Sequence, residues 1–450
     1  MTDRTNLHNG AGLGPAPRLA GLGVFGATAA FTALAIGSGE LMFWPGLVVS
    51  IGAGVIWLAI AIVALQWFVN IEVARYTLAS GESVGRGFAR HAPVVAVLLV
   101  LGAIVPWLWP GWIRAGGQMI AAVTGGPEKW ISVAILAVCA AALLVPARAY
   151  RLLESAQTMM LAVILIGILW LFAVVATATG GIGGFASRFL AFEGIGQVTA
   201  NLAAQQDSAY FGLLGGVVFA GAGGILNLGY SYLVLERNRA YSHSAANSAT
   251  VPEPGRWAAW MSLLRREHAI LFVGGNATSI VFLSALFFMI FGQAGTNVSG
   301  MTLLSATYDR IAEAYGSGNA VLFGIVGFLV FFTSALGILH LTCFIASDLV
   351  RALLKQNDEG SEWIFKAFVM AQSAVALALI FLDPRQPFWL ITTAAFLNTL
   401  VMALYGFGIV WMNRRTLSPV CQPGLLSEAM VVLLGSIYLA LFGLTAWKLL

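Results

Sequence analysis

Residues 31–54 read FTALAIGSGELMFWPGLVVSIGAG. With its flanks the run is long and apolar enough to cross a bilayer, for which about 20 residues suffice. It also carries Gly37, Gly39, Pro45 and Gly46 around a single acidic residue, Glu40. A glycine in a helix interior costs about 1 kcal/mol relative to alanine. The clustering therefore predicts a helix interrupted near its middle, although glycines also serve close helix packing. In hydrocarbon, unwound backbone persists only where protein buries it or where it lines a cavity. A membrane-spanning helix broken around a carboxylate is the feature from which the fold is read.

A second run of the same kind follows at 215–238, GGVVFAGAGGILNLGYSYLVLERN, with Gly221, Gly223 and Gly224 in its middle. Between and beyond the two, apolar segments recur. We count eleven, near 20–50, 54–78, 94–123, 130–147, 152–178, 209–236, 268–292, 319–349, 365–382, 387–412 and 426–449. The two glycine-rich runs are segments 1 and 6. They open two sets of five, 20–178 and 209–412, with segment 11 appended. Interrupted helices at corresponding places in two halves point to the binding site of a transporter. The expected architecture is all-α and polytopic, a 5+5 inverted repeat plus one helix in a single domain over 20–450. Residues 1–19, rich in Gly, Pro and Asn without an apolar core, read as a disordered tail and not a signal peptide.

Composition excludes the other classes. Of 450 residues 59% are apolar and 9% charged, with mean hydropathy +0.88, whereas soluble domains carry about 25% charged residues. A net charge of +4 offers nothing to nucleic acid. Cys139, Cys343 and Cys421 are isolated, so no disulfide framework or zinc spacing exists. No nucleophile–base set lies on facing segments, which argues against an enzyme. If the N-terminus is cytoplasmic, 17 of the 23 Lys and Arg fall in cytoplasmic segments, as the positive-inside rule demands. The C-terminus is then outside, and the inner membrane of a bacterium is the expected location. The polar stretches are 179–208, 237–267 and 293–318; the second is the most basic, and the last two read as candidate amphipathic surface helices.

A carboxylate at mid-membrane costs at least a few kcal/mol and needs a partner or a role. For Glu40 three readings stand open: an ion pair with Arg114 of segment 3 (WLWPGWIRAGGQM, 107–119), a ligand for a substrate cation, or a proton carrier. Arg114 keeps its proton and would repel a divalent ion unless neutralised; displacement by substrate would make the pair a switch. His340 in SALGILHLTCF titrates near neutrality and joins Arg114 and Gln118 as a coupling or gating candidate. Asn227, Gln118 and Asn398 offer neutral oxygens, equally suited to ions and to interhelical hydrogen bonds. Glu72 with Arg75, and Arg151 with Glu154, lie three apart and read as gate or structural pairs.

The broken segment 1 followed by WLAIAIVALQWFVNIEVARYTLASGE (57–82), RLLESAQ (151–157) opening segment 5, the Gly-rich segment 6 and the segment count together resemble the Nramp-related (natural resistance-associated macrophage protein-like) transporters of LeuT-type fold. The resemblance covers most of residues 20–412 and is at the level of pattern. The family's first-span signature, Asp-Pro-Gly-Asn, falls on Gly37-Ser38-Gly39-Glu40, so Gly37 replaces the ligand Asp and Glu40 the ligand Asn. Its sixth-span signature, Met-Pro-His-Asn, falls on Gly224-Ile225-Leu226-Asn227, where only Asn227 survives. The family's third-span carboxylates match Gly111 and Arg114, which argues against proton coupling by the family's route. By this resemblance, carbonyls at Leu34 and Gly221 join Glu40 and Asn227 as ligands.

Without the thioether, preference for soft transition metals falls, and one carboxylate with carbonyls suits a hard cation. The expected function is alternating-access transport of an inorganic cation such as Mg²⁺, Mn²⁺ or Ca²⁺, with no tightly bound cofactor. A small organic solute, such as an amino acid or carboxylate, is the rival cargo. A membrane sensor without flux, docking through 237–267, is the other alternative. The lipid bilayer is the one certain partner, and the sequence is silent on oligomeric state.

Overall fold

The computed structural model describes residues 26–144, 148–196, 198, 207–241, 253–292, 300–356 and 362–449. The expected tail at 1–19, and the side chains of Arg151 and Glu154, lie outside the described residues. The described chain is all-helical. Eight helices are long and apolar enough to cross a membrane: Ala53–Ser80, Pro93–Thr124, Met159–Thr179, Pro254–Phe291, Ser317–Leu353, Glu362–Leu382, Pro387–Thr416 and Leu425–Leu449. Segment 4 is the 17-residue helix Glu128–Leu144.

Segments 1 and 6 are interrupted where their glycines cluster. Segment 1 is helix Gly26–Ala35, an irregular step at Ile36–Gly37, a π turn Gly39–Phe43 and helix Trp44–Ser50. Segment 6 is helix Asp207–Val218, an irregular stretch through Gly223, a 3₁₀ turn Gly224–Gly229 and helix Tyr230–Tyr241. Segment 3 is also kinked: Pro106 and Pro110 open it into Pro93–Ile104 and Gly111–Thr124. The Trp107 carbonyl freed there accepts from Gln372 Nε2 of segment 9 at 2.9 Å, as backbone in hydrocarbon requires.

The centre and the rim are distinguished by burial. Segment 8, Ser317–Leu353, has 67% of its apolar window buried, against 28% for segments 9 and 11. Segment 8 is therefore the axle of the bundle, and Met370, Leu382, Leu426 and Trp447, all exposed on segments 9 and 11, face lipid. Water does not drive such helices together, so small residues set their approach. Gly324 and Gly327 of segment 8 let Met119 and Val123 of segment 3 lie against it.

One polar stretch differs from expectation and another forms the amphipathic helix expected of it. Within 237–267, Pro254–His268 is continuous through a π turn, Ala269–Gly274, with Gly275–Phe291. Its Arg and Glu residues hide a buried face of Trp257, Trp260, Met261, Leu263 and Leu264. The stretch 293–318 carries helix Gly300–Tyr315, which buries Leu303, Leu304, Thr307 and Ile311 on one side, as amphipathic spacing implies.

Both ends of the bundle are clasped by ions. At the basic end Glu72 takes Arg75 at 2.9 Å, Asn413 Nδ2 at 2.9 Å and Ser427 Oγ at 2.6 Å, joining segments 2, 10 and 11. Asp348 takes Arg86 at 2.9 Å and the hydroxyls of Ser83 and Tyr232, joining segments 6 and 8 to helix Val84–His91. At the opposite end Arg114 binds Glu128 at 3.0 Å and the carbonyls of Asp383 and Arg385 at 3.1 and 2.7 Å.

Candidate functional site

The two interruptions meet. A Cβ on Gly39 would run into the carbonyl oxygen of Phe219, so main chain lies on main chain and no larger residue fits between. Gly221 and Gly224 have φ of +118° and +62°, conformations open to glycine and costly for other residues. A Cβ on Gly221 would sit 3.0 Å from Gln66 Oε1 and 2.9 Å from the Phe272 ring, and one on Gly224 would strike the Asn398 amide. The glycines thus bring segments 2, 7 and 10 onto segment 6.

Glu40 lies within this contact and is fully buried. Its Oε2 accepts the Gly37 N–H at 2.7 Å, and the N–H groups of Glu40 itself and of Gly221 also face the carboxylate. One side chain therefore spans from the first interruption to the second. Its Oε1 has no partner, and no ion pair holds it among the described residues. Other buried oxygens on these helices are equally unmatched, Ser38 Oγ and three amides among them. Gln66 gives its Nε2 to Tyr438 at 3.2 Å and leaves Oε1 free; Asn227 gives its Nδ2 to Tyr405 at 2.8 Å and leaves Oδ1 free. Asn398, seven residues before Tyr405 on the same helix, has neither amide atom matched. Buried unmatched oxygens are expensive, and their shared chemistry is that of a hard-cation ligand set. Among the described residues no group of three or more His, Cys, Asp or Glu gathers anywhere, so Glu40 is the single charged member.

Aromatic rings close the layer on both sides. Towards one end Phe219 packs with Phe43 and Trp112 at 6.4 and 5.2 Å between centroids, and Phe43 with Phe388 at 5.5 Å. Towards the basic end Phe272 stacks on His268 and Phe31 at 4.6 and 5.7 Å, with Tyr230 against His268 at 4.4 Å. Both rings of side chains are fully or nearly fully buried.

The residues singled out in the sequence sort by position. Glu40, Gly37 and Gly221 come together; Asn398 joins at Gly224, and Asn227 follows three residues on. Arg114 does not pair with Glu40. It lies in the first turn of helix Gly111–Thr124, and its guanidinium reaches Glu128, at the start of the next helix, and the 383–386 turn, where a carboxylate and two carbonyls satisfy it. Gln118, one turn further on the same helix, is half-buried. Leu34 is in the last turn of helix Gly26–Ala35, at the edge of the break, and its side chain packs on Gly337 of segment 8. His340 faces Phe344 of its own helix and Phe365 of segment 9, away from the interruptions. Gln66, Tyr405 and Tyr438 escaped the sequence reading. For Gln66 a signal existed, because Gln66 and Asn70 stand four apart in an otherwise apolar helix and so share a face.

No family model matches the sequence, and no curated relative matches it. Solved structures do. A variant of the manganese transporter of Eremococcus coleocola matches with TM-score 0.60 at 12% identity, covering 98% of each chain. The same transporter in complex with an aromatic bis-isothiourea substituted compound gives 0.63 at 10% identity, again over 98% of both chains. MhsT in complex with L-phenylalanine gives 0.54 at 13% identity, over 96% of this chain and 99% of that one. At such identities the likeness is one of fold. The chain has the LeuT-type fold over nearly its whole length.

Proposed function

We propose that this chain is a secondary transporter working by alternating access, and that its cargo is a hard inorganic cation held by Glu40. In this reading segments 1–5 and 6–10 are the two inverted repeats, segment 11 is an addition, and the basic end faces the cytoplasm. The observation that carries the reading is a fully buried carboxylate at the meeting of two broken helices with, among the described residues, no cationic side chain against it. A charge so placed is not retained for stability, because an unpaired buried ion costs several kcal/mol; intramembrane ionisable residues mark transport paths.

Gln66 Oε1, Asn227 Oδ1 and Asn398 Oδ1 supply the neutral oxygens. Mg²⁺, Mn²⁺ and Ca²⁺ suit such a set, and the absence of sulfur at Gly224 removes the preference for soft metals. The same geometry disfavours an anionic organic cargo. The main-chain N–H groups that would receive a substrate carboxylate already face the Glu40 carboxylate. No nucleophile–base pair sits at the site, so an enzymatic role is not proposed.

The test is uptake of Mg²⁺, Mn²⁺ and Ca²⁺ into proteoliposomes by wild type and Glu40→Gln. Cation uptake in the wild type, lost in the variant, is the expected result. Uptake of an amino-acid tracer indifferent to divalent metal, or metal uptake equal in both proteins, would overturn the assignment.

A further inference from the structure

At the basic end a cavity of about 480 Å³ opens between segment 2, the first half of segment 7 and the turn before segment 11. Its polar wall is Arg75, Arg265, Arg266 and Gln422; Trp257 and Met261 form the apolar wall, and no acidic residue lines it. We infer that this cavity binds a phosphate group carrying net negative charge, together with a short apolar attachment.

Charge is the first argument. Arg75 is matched, its Nε on Glu72 at 2.9 Å and its Nη1 on the carbonyl of Cys421 at 3.1 Å. Arg265 and Arg266 are exposed and, among the described residues, neither meets a carboxylate. Arg265 also lies within electrostatic range of Arg75. Three guanidinium groups thus face one concavity with a single carboxylate, spent on the deepest of them, to balance them. A merely solvated basic face would spread its charges over a convex surface. Here they converge on a space within the about 300–1,000 Å³ typical of ligand sites.

Ligand chemistry is the second. Guanidinium forks match phosphate oxygens two at a time, while Trp257 and Met261, both almost wholly buried, suit glycerol or the start of an acyl chain. Basic pockets between membrane helices take up acidic headgroups. Two sources share this chemistry: an anionic phospholipid from the adjoining leaflet, and a soluble phosphate ester. The site is separate from Glu40 and owes nothing to the cargo assignment.

Intact-protein mass spectrometry of the purified full chain tests the inference, with phosphatidylglycerol, phosphatidylcholine, glycerol 3-phosphate and inorganic phosphate as probes. The proteins are wild type, R265Q/R266Q, and the control R90Q/R415Q, which removes two exposed arginines at the same end outside the cavity. Wild type and control should hold one phosphatidylglycerol in preference to phosphatidylcholine, with occupancy about tenfold lower in R265Q/R266Q. If glycerol 3-phosphate or phosphate binds instead with the same dependence on Arg265 and Arg266, the site stands and its ligand is soluble. Equal binding by wild type and R265Q/R266Q, equal loss in the control, or no preference over phosphatidylcholine would overturn it.

Discussion

Glu40 and its neutral companions are expected to contribute unequally. Replacing the carboxylate by Gln removes the only charge in the proposed ligand set, and cation affinity measured by titration calorimetry should fall more than about a hundredfold, since charge-assisted contacts carry most of the strength. Asn398→Leu removes one neutral oxygen, and a hydrogen-bond-sized loss of about 1 kcal/mol predicts only a several-fold drop. Equal losses in the two variants would show that Glu40 is no ligand. Gly39→Ala acts differently. Its methyl group has no room beside the Phe219 carbonyl, so the two interruptions must part. The expected result is a lower unfolding temperature together with lost transport.

Elements are held in register by the ionic clasps at the two ends. Arg114 is nearly buried and Glu128 mostly so; breaking such a pair costs about 3–5 kcal/mol. Arg114→Ala should therefore lower thermal stability in detergent while leaving cation affinity unchanged, because Arg114 lies apart from Glu40. A changed affinity at unchanged stability would restore the switching role considered from sequence. Beside it, the Arg385 guanidinium and N–H hold the Asp383 carboxyl below its ordinary value. A depressed value means stabilisation is present above the usual carboxylate range and is lost only as acid carries the pH down through the lowered one. Fluorescence of the neighbouring Trp389 should stay flat as the pH falls to about 4, where an ordinary aspartate is already half protonated, and a transition there would contradict the turn's geometry. At this scale the sequence was legible in part. Glycine clusters located both interruptions, because their cost in a helix is local. The partner of Arg114 is not local: Glu128 and the 383–386 turn arrive from other helices, and nothing in residues 107–119 announces them. Pro254–His268 was read as part of a surface segment and not as the start of segment 7, because its charges outnumber its buried tryptophans in a linear count.

At the scale of the whole molecule a polytopic helical bundle with two interrupted spans was readable from hydropathy and glycine placement, and the LeuT-type fold was implied by resemblance, whereas the ligand layer was not legible. Gln66 and Tyr438 are 372 residues apart in sequence and meet at 3.2 Å. Only the closed bundle makes them neighbours, so segment 11, which the repeat logic sets aside as an appendage, reaches the centre. Removing Leu425–Leu449 should accordingly abolish transport and not merely weaken folding at the rim. Tyr438→Phe offers the gentler measurement: uptake with raised apparent KM is expected, and wild-type kinetics would show the contact to be idle.

The main-chain contact between Gly39 and Phe219 also limits how such a protein can change. A gap bounded by side chains widens or narrows by substitution, one residue at a time. A seam bounded by peptide groups has no such dial, so in the proposed transport cycle the size of the cargo admitted follows from the travel of the half-helices. New specificity would have to arise from the amides of Gln66, Asn227 and Asn398 around that fixed seam.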